Sequence, residues 1–284
     1  MILLADSGST KTEWLVLDAT GDSIDSFYTK GFNPNHVSTM FMVDELKHST
    51  QFMKAVQQTG KIFFYGSGCS TPELNGVVSE AIRFFNSSAI IEIKNDLYAS
   101  VHATAGNQPA IVCILGTGSN SCFYDGNKVS SDDFSLGYIL GDEGSGSFLG
   151  KQLIHDHFYH IMPENLHKAF HIKYNISRNE VIERIYRKPM PNEFLASFTP
   201  FLKEHIHEEY CLQLVKGTFQ SFLQHFVLRF ENAKNVPVHF TGSVAANFKD
   251  VLSDTANEYE IKIGKILTSP MEELSKYIQK SLTN

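Results

Sequence analysis

Cysteine is scarce in this chain, and what there is lies scattered. The four residues Cys69, Cys113, Cys122 and Cys211 form no CxxC pair and no zinc or iron–sulfur spacing, so a metal ribbon or a cluster-binding motif is not expected. Their usage fits a reducing cytoplasm, with Cys69, Cys113 and Cys122 in apolar surroundings as small buried hydrophobes. An excess of basic residues is also missing: 24 Lys and Arg stand against 31 Asp and Glu, a net charge of −7, which gives no electrostatic reason for a nucleic-acid partner. Long apolar runs are absent too. Met1 leads into Ile2-Leu3-Leu4-Ala5 and then Asp6, without a basic segment or a stretch able to cross a bilayer, so neither export by a cleaved leader nor membrane insertion is expected.

Two familiar nucleotide motifs are lacking as well. Gly144-Ser145-Gly146-Ser147-Phe148-Leu149-Gly150-Lys151-Gln152 looks like a Walker loop, but its first glycine comes one residue early and Gln152 stands where Ser or Thr must reach magnesium. It misses the dinucleotide pattern too, since Leu149 takes the third glycine position and no apolar strand ends just before it.

What is present is enough apolar material, 42% of 284 residues, for one large core or two smaller ones, and the length favours two domains. The opening reads as a β-hairpin: strand Ile2 to Ala5, turn Ser7 to Lys11, returning strand Glu13 to Asp18, and a third strand through Ile24 to Tyr28. The pattern recurs with strand Ala110 to Leu115, turn Gly116 to Ser119 and return Asn120 to Tyr124. Between them come a strand Lys61 to Tyr65, a helix from about Pro72 to Phe85, a strand Ala89 to Ile93 and a helix Asp96 to Ala105. After Gly144 the chain reads as mostly helical to about Asn232. Strand Val236 to Thr241, helix Val244 to Leu252, strand Ile261 to Leu267 and a final helix from Met271 follow. Strands followed by helices, given twice, indicate a duplicated α/β architecture with a cleft between the halves. The domains are expected at 1–109 and 110–284, with a hinge near Asn107 to Pro109 and the helix 271–284 able to pack back on the first domain.

Tight turns rich in Gly, Ser and Thr expose successive backbone N–H groups to an anion. In the first turn Gly8 allows close approach, Ser9, Thr10 and Thr12 offer hydroxyls and Lys11 offers charge. Asp6 sits at the strand end, where a carboxylate could hold hydrated Mg2+. In the second, Gly116 and Gly118 flank Thr117, with Ser119 and Asn120 following. Either turn alone is an ordinary hairpin turn; both, each opening a half, point to phosphate.

Asp6-Ser7-Gly8-Ser9-Thr10-Lys11-Thr12 resembles the first phosphate motif of the actin-like (hexokinase and heat-shock-70-type) ATPase superfamily, and Leu115-Gly116-Thr117-Gly118-Ser119-Asn120 its second. With Gly141-Asp142-Glu143-Gly144-Ser145-Gly146 the chain resembles the BadF/BadG/BcrA/BcrD-type ATPase family and its N-acetylglucosamine kinase-like branch. Phe240-Thr241-Gly242-Ser243-Val244-Ala245 is similar to the adenosine motif, placing Gly242 and Ser243 near adenosine. The resemblance implies two ribonuclease-H-like domains closing around ATP and a sugar, with ATP and Mg2+ as cofactors, Asp6 holding the metal through water, and no nucleic acid or membrane partner. A cytoplasmic protein, possible as a homodimer, would fit it.

The resemblance also implies roles that local chemistry leaves open. Asp96 opens a helix, where an Asp is commonly a cap; family kinases carry their catalytic base there. Asp142 and Glu143 precede a helix, where capping and the dipole favour acids; in the family such residues lie in the sugar pocket. A Gly-Gly-Trp-Gly segment precedes them in that branch, and this chain has Phe134-Ser135-Leu136-Gly137-Tyr138, with Leu136 in the Trp position. Asn33 or Asn35, in a Gly31-Phe32-Asn33-Pro34-Asn35 stretch that is equally a good turn, is a further sugar contact, as is Asn120. Phosphotransfer to the 6-hydroxyl of N-acetylglucosamine or a related amino sugar is the implied activity; the alternative is an activator or regulatory ATPase without it. Of the twelve histidines, His167 and His171 share i, i+4 spacing without an HExxH pattern and read as an exposed helix face, while His155, His157 and His160 do not line one face.

Overall fold

Strand β1 (Ile2–Ser7) is apolar until its end, and Leu3, Leu4 and Ala5 are fully buried. It forms the centre of a five-stranded sheet. The computed structural model describes residues 1–130 and 135–283. Strand β1 pairs antiparallel with β2 (Lys11–Leu17), which pairs antiparallel with β3 (Ser23–Lys30). On its other side β1 runs parallel to β4 (Lys61–Gly66), and β4 parallel to β5 (Ile90–Asn95). The order is β3-β2-β1-β4-β5.

The second sheet repeats this plan. Strand β6 (Ala110–Leu115) pairs antiparallel with β7 (Ser119–Tyr124), and β7 with the short β8 (Val129–Ser130). Across β6 run β9 (Val238–Thr241) and then β10 (Ile263–Leu267), both parallel. The order β8-β7-β6-β9-β10 matches the first sheet strand for strand.

Parallel neighbours need crossovers, and helices supply them. In the first half these are α1 (Thr39–Lys47) and α2 (Thr50–Val56), capped by Ser38 and Ser49, and α3 (Pro72–Arg83), capped by Thr71 with Pro72 in its first turn. Helix α4 (Asp96–Thr104) follows β5 directly. The second half has α5 (Gly137–Leu140), α6 (Gly146–Phe158), α7 (Glu164–Tyr174), α8 (Arg178–Tyr186), α9 (Pro191–Ala196), α10 (Thr199–Glu204) and α11 (Glu209–Phe222). A π-helical turn Leu223–Val227 extends α11. The expected helix from Val244 to Leu252 is two, α12 (Ser243–Asn247) and α13 (Lys249–Glu258). They break at Phe248, whose ring is buried and whose backbone leaves helical values. The following strand begins at Ile263 rather than Ile261, because Glu260 turns through φ 58° at the end of α13. Helices α1 and α2 and strand β8 were not among the elements expected from the sequence.

The chain divides into two compact units, Met1–Asn107 with the segment from Ser269, and Gln108–Thr268. The last helix, α14 (Met271–Thr283), packs on α4 in the first unit. Its Met271, Leu274 and Ile278 join Ile2, Leu4, Tyr65 and Ala99 in one apolar cluster. On the other face of that sheet Trp14 is fully buried between Phe27, Phe52 and Phe64, and each such large side chain contributes about 1.5–3 kcal/mol. The second unit buries Phe170, Phe201, Phe219, Phe222 and Phe240 together. All four cysteines are buried and unpaired with one another as disulfides. Among the described residues no helix is long and apolar enough to cross a membrane.

Candidate active site

In open α/β sheets ligands gather at the carboxyl ends of parallel strands, and Asp6 and Asp96 stand there. Asp6 is the penultimate residue of β1, and Asp96 follows β5 immediately, with only β4 between these strands. Asp96 does not cap its helix. Asn95 does, its Oδ1 accepting the Leu97 amide at 3.0 Å, and Asp96 occupies the first helical position. Both carboxylates keep some contact with solvent, yet dense surroundings raise their proton affinity. Asp6 is pushed up to about 7, first by burial, then by the charges of Asp96 and Glu13, against the pull of Lys11. Asp96 is pushed up to about 6 by burial, opposed by the backbone N–H groups of Leu97 and Asp96. A proton acceptor whose affinity lies close to neutral is suited to general-base work.

Glu13, which the sequence reading passed over, is the cross-strand partner of Asp6. Three carboxylates and one nearby ammonium leave a negative excess that a hydrated divalent cation would offset. Among the described residues no three His, Cys, Asp or Glu are arranged as a direct cage.

The first turn is drawn tight by Gly8 N donating to Lys11 O at 3.0 Å and Gly31 N to Thr10 O at 3.0 Å. Thr12 is fully buried, its hydroxyl 2.7 Å from Ser7 Oγ and donating to Lys30 O at 2.9 Å. It supports the turn from within the sheet. Asn33 and Asn35 both lie against Gly68, just beyond β4. A Cβ on Gly68 would collide with Asn33 Oδ1 and Asn35 Nδ2, and its φ of 78° also favours glycine. Asn33 Nδ2 donates to Ser67 Oγ at 3.4 Å, and Asn33 Oδ1 accepts the Asn35 amide at 3.0 Å. The two asparagines thus form one polar corner at the same strand ends as Asp6 and Asp96.

In the second unit the turn at Gly116-Thr117-Gly118 closes through Gly116 N to Gly118 O at 3.0 Å. Helix α6 buttresses it: Gly146 N donates to Gly116 O at 2.8 Å and Ser147 N to Thr117 O at 3.0 Å. Ser119 Oγ is buried with no hydrogen-bond partner, a donor suited to an anionic oxygen at this turn. Asn120 Oδ1 accepts the Ser121 amide at 2.9 Å. Gly242 has a φ of 113°, and a Cβ there would strike Leu115 O, so only glycine lets the start of α12, with Ser243, lie against the turn.

Asp142 is buried, has a φ of 60° and places its carboxylate against Gly118. Burial pushes it up to about 6, opposed by the Ser119 amide, the Ser135 hydroxyl at 3.4 Å and the charge of Lys151. Glu143 instead faces His225 Nδ1 at 3.3 Å. Leu136 is 67% exposed, while Phe134 lies outside the described residues. The site residues therefore fall into two groups. Asp6, Ser9, Thr10, Lys11, Asn33, Asn35 and Asp96 belong to the first unit; the Gly116 turn, Asn120, Asp142, Glu143, Gly242 and Ser243 belong to the second.

No family model and no curated protein matches the chain. Among solved structures, a candidate N-acetylglucosamine kinase from Porphyromonas gingivalis is 38% identical, with 99% of each chain covered and a TM-score of 0.92. The chain belongs to this N-acetylglucosamine kinase-like family. A candidate N-acetylglucosamine kinase from Chromobacterium violaceum shares the fold at 16% identity, 98% coverage of each chain and a TM-score of 0.74. So does a ROK-family glucokinase from Streptomyces griseus, solved with glucose and AMPPNP, at 12% identity, 97% coverage of each chain and a TM-score of 0.59. The two five-stranded sheets of this kinase-like chain are those of the two-domain actin-like sugar kinases.

Proposed function

We propose that this protein is an ATP-dependent kinase, of the BadF/BadG/BcrA/BcrD type, that phosphorylates the 6-hydroxyl of N-acetylglucosamine or a related amino sugar with Mg2+. The observation that carries the reading is the placement of Asp6 and Asp96 at neighbouring strand ends in a chain 38% identical to a candidate kinase for that sugar. When bound, Mg-ATP supplies the phosphoryl group and the charge that offsets its transfer. Asp96 accepts the proton of the sugar hydroxyl, and its raised proton affinity suits that task near neutral pH. Asp6 orients the metal's water shell. The two Gly/Ser/Thr turns cradle the phosphates, with Ser119 Oγ a donor in waiting, and Gly242 and Ser243 lie beside adenosine. Asn33, Asn35, Asn120, Asp142 and Glu143 bind sugar hydroxyls and keep the acceptor in line, which is where much of the rate of a phosphoryl transfer arises.

ATP consumption measured over glucose, glucosamine, N-acetylglucosamine, N-acetylmannosamine and N-acetylmuramic acid tests this. N-acetylglucosamine should give a higher kcat/KM than glucose, with phosphate on its 6-hydroxyl. Leu136 in the Trp position makes the ranking of the acetylated sugars the informative part. ATP hydrolysis without phosphorylation of any sugar would replace this reading with an activator or regulatory ATPase.

A further inference from the structure

Lys151 belongs to the run that imitates a phosphate-binding loop, yet its partners are of another kind. From the second turn of α6 its ammonium reaches back to the carbonyl oxygens of Tyr138 at 3.3 Å and Ile139 at 3.5 Å. The Phe148 ring lies 4.9 Å from the same nitrogen. Tyr138 and Ile139 sit in α5, a four-residue helix with no buried residue. Tyr138 is half-buried, but Ile139 is 67% exposed and Leu140 74%, as is Leu136 at 67% just before the helix. Apolar packing therefore contributes little to holding α5 in place. A cation on its final carbonyls satisfies groups that a helix end leaves without partners.

The residue two positions past α5 is Asp142. Gly137, Asp142 and Gly144 all have positive φ, 70°, 60° and 80°, so the chain bends three times within eight residues. A non-glycine residue in that region persists only where its surroundings hold it. Besides Lys151, the segment is held by Gly141 N donating to Gly137 O at 2.8 Å, by Ser145 N donating to Asp142 O at 3.1 Å, and by the Ser119 amide and the Ser135 hydroxyl on the Asp142 carboxylate.

We propose that Lys151 is a positioning residue that anchors α5 and thereby fixes the Asp142 carboxylate for the acceptor sugar. The inference rests on the reading of Asp142 as a sugar-binding group. The groups facing Asp142 are Lys151, which lowers its proton affinity, Glu143, which raises it, and the Ser119 amide and Ser135 hydroxyl, which lower it; Glu143 is itself engaged by His225. Removing the ammonium loosens the segment and leaves Asp142 easier to protonate.

The test compares Lys151→Met, Lys151→Arg and Asp142→Ala with the unaltered protein. KM for sugar and for ATP, the sugar Kd by calorimetry, and the pH dependence of the sugar KM are measured. Lys151→Met should raise the sugar KM and Kd about five- to tenfold, leave the ATP KM within about twofold, and move the acid limb of the sugar profile to higher pH. Lys151→Arg should restore most of the affinity, since it keeps the charge. If the ATP KM rises while the sugar KM does not, Lys151 is a phosphate-binding lysine and the proposal fails. It fails alone if Asp142→Ala weakens sugar binding and Lys151→Met does not, or if the acid limb stays where it was. An Asp142→Ala protein with unchanged sugar affinity removes the reading of Asp142, and the proposal with it. Should Lys151→Met not fold, Lys151→Gln makes the same comparison.

Discussion

Burial first, and then the charge of Asp96 from across strand β4, raises the proton affinity of Asp6. With Glu13 opposite Asp6 in the hairpin register, the strand ends carry more negative charge than Lys11 offsets. Asp6→Asn should raise the Mg2+ concentration needed for half-maximal turnover by about tenfold, the usual scale for a group acting on a metal's outer shell. The sugar Kd should not move, and the melting temperature in EDTA should not fall, because a crowded charge has been removed. Calorimetric sugar titration and melts with and without Mg2+ check this; an equal loss of sugar affinity would place Asp6 elsewhere in the mechanism.

The Ser119 hydroxyl offers a separation of function from folding. It is buried without a partner, and an unmet buried donor costs about 1–3 kcal/mol. Ser119→Ala should therefore melt no earlier than the unaltered protein while raising the KM for ATP several-fold. An earlier melt with ATP affinity intact would mean the hydroxyl serves only the fold.

His157 links stability to acid. Its buried ring stacks 4.4 Å from His167 and 6.3 Å from His171, with His160 4.7 Å from His167 and the Phe158 and Phe170 rings alongside. Burial first, and then His167, His171 and His160, hold it down to about 4 against an ordinary 6.5. The unfolded chain thus takes up a proton below pH 6.5 that the native state refuses until about pH 4, and native stability falls over that interval. Asp6, Asp96 and Asp142, whose proton affinities are raised, act in the opposite direction, so the contribution is read from a difference. His157→Phe keeps a ring in the stack, and its melting temperature relative to the unaltered protein should rise as pH falls from 6.5 to 4, by an amount corresponding to about 1–2 kcal/mol. A difference independent of pH would show that His157 is not held neutral.

Both hairpins were legible in the sequence because strand alternation and turn chemistry are local. So was the helix at Asp96, although Asn95 rather than Asp96 supplies the cap; Asn and Asp cap equally well, and composition does not choose between neighbours. The break at Phe248 was not legible, since it reflects where a ring finds the core. Nor were the short helices α1 and α2, which depend on the sheet they cover. His167 and His171 read as an exposed pair, and His171 is exposed; His167 is half-buried because α7 brings it onto His157 of α6. The corner of Asn33 and Asn35 on Gly68, the Glu13 beside Asp6 and the grip of Lys151 on α5 are likewise tertiary. Only the hairpin register, which places Glu13 opposite Asp6, offered a signal in advance.

The central claim is that Asp96 takes the proton of the sugar hydroxyl, and single-turnover phosphorylation of N-acetylglucosamine by Asp96→Asn tests it most directly. The change removes a proton acceptor and almost no volume, and Asn95 still caps the helix. Phosphotransfer should fall about a hundred- to ten-thousand-fold, with ATP and sugar affinities nearly unchanged and no loss of melting temperature. Near-normal turnover in a protein that melts earlier would contradict the account, making Asp96 a structural residue at the start of α4.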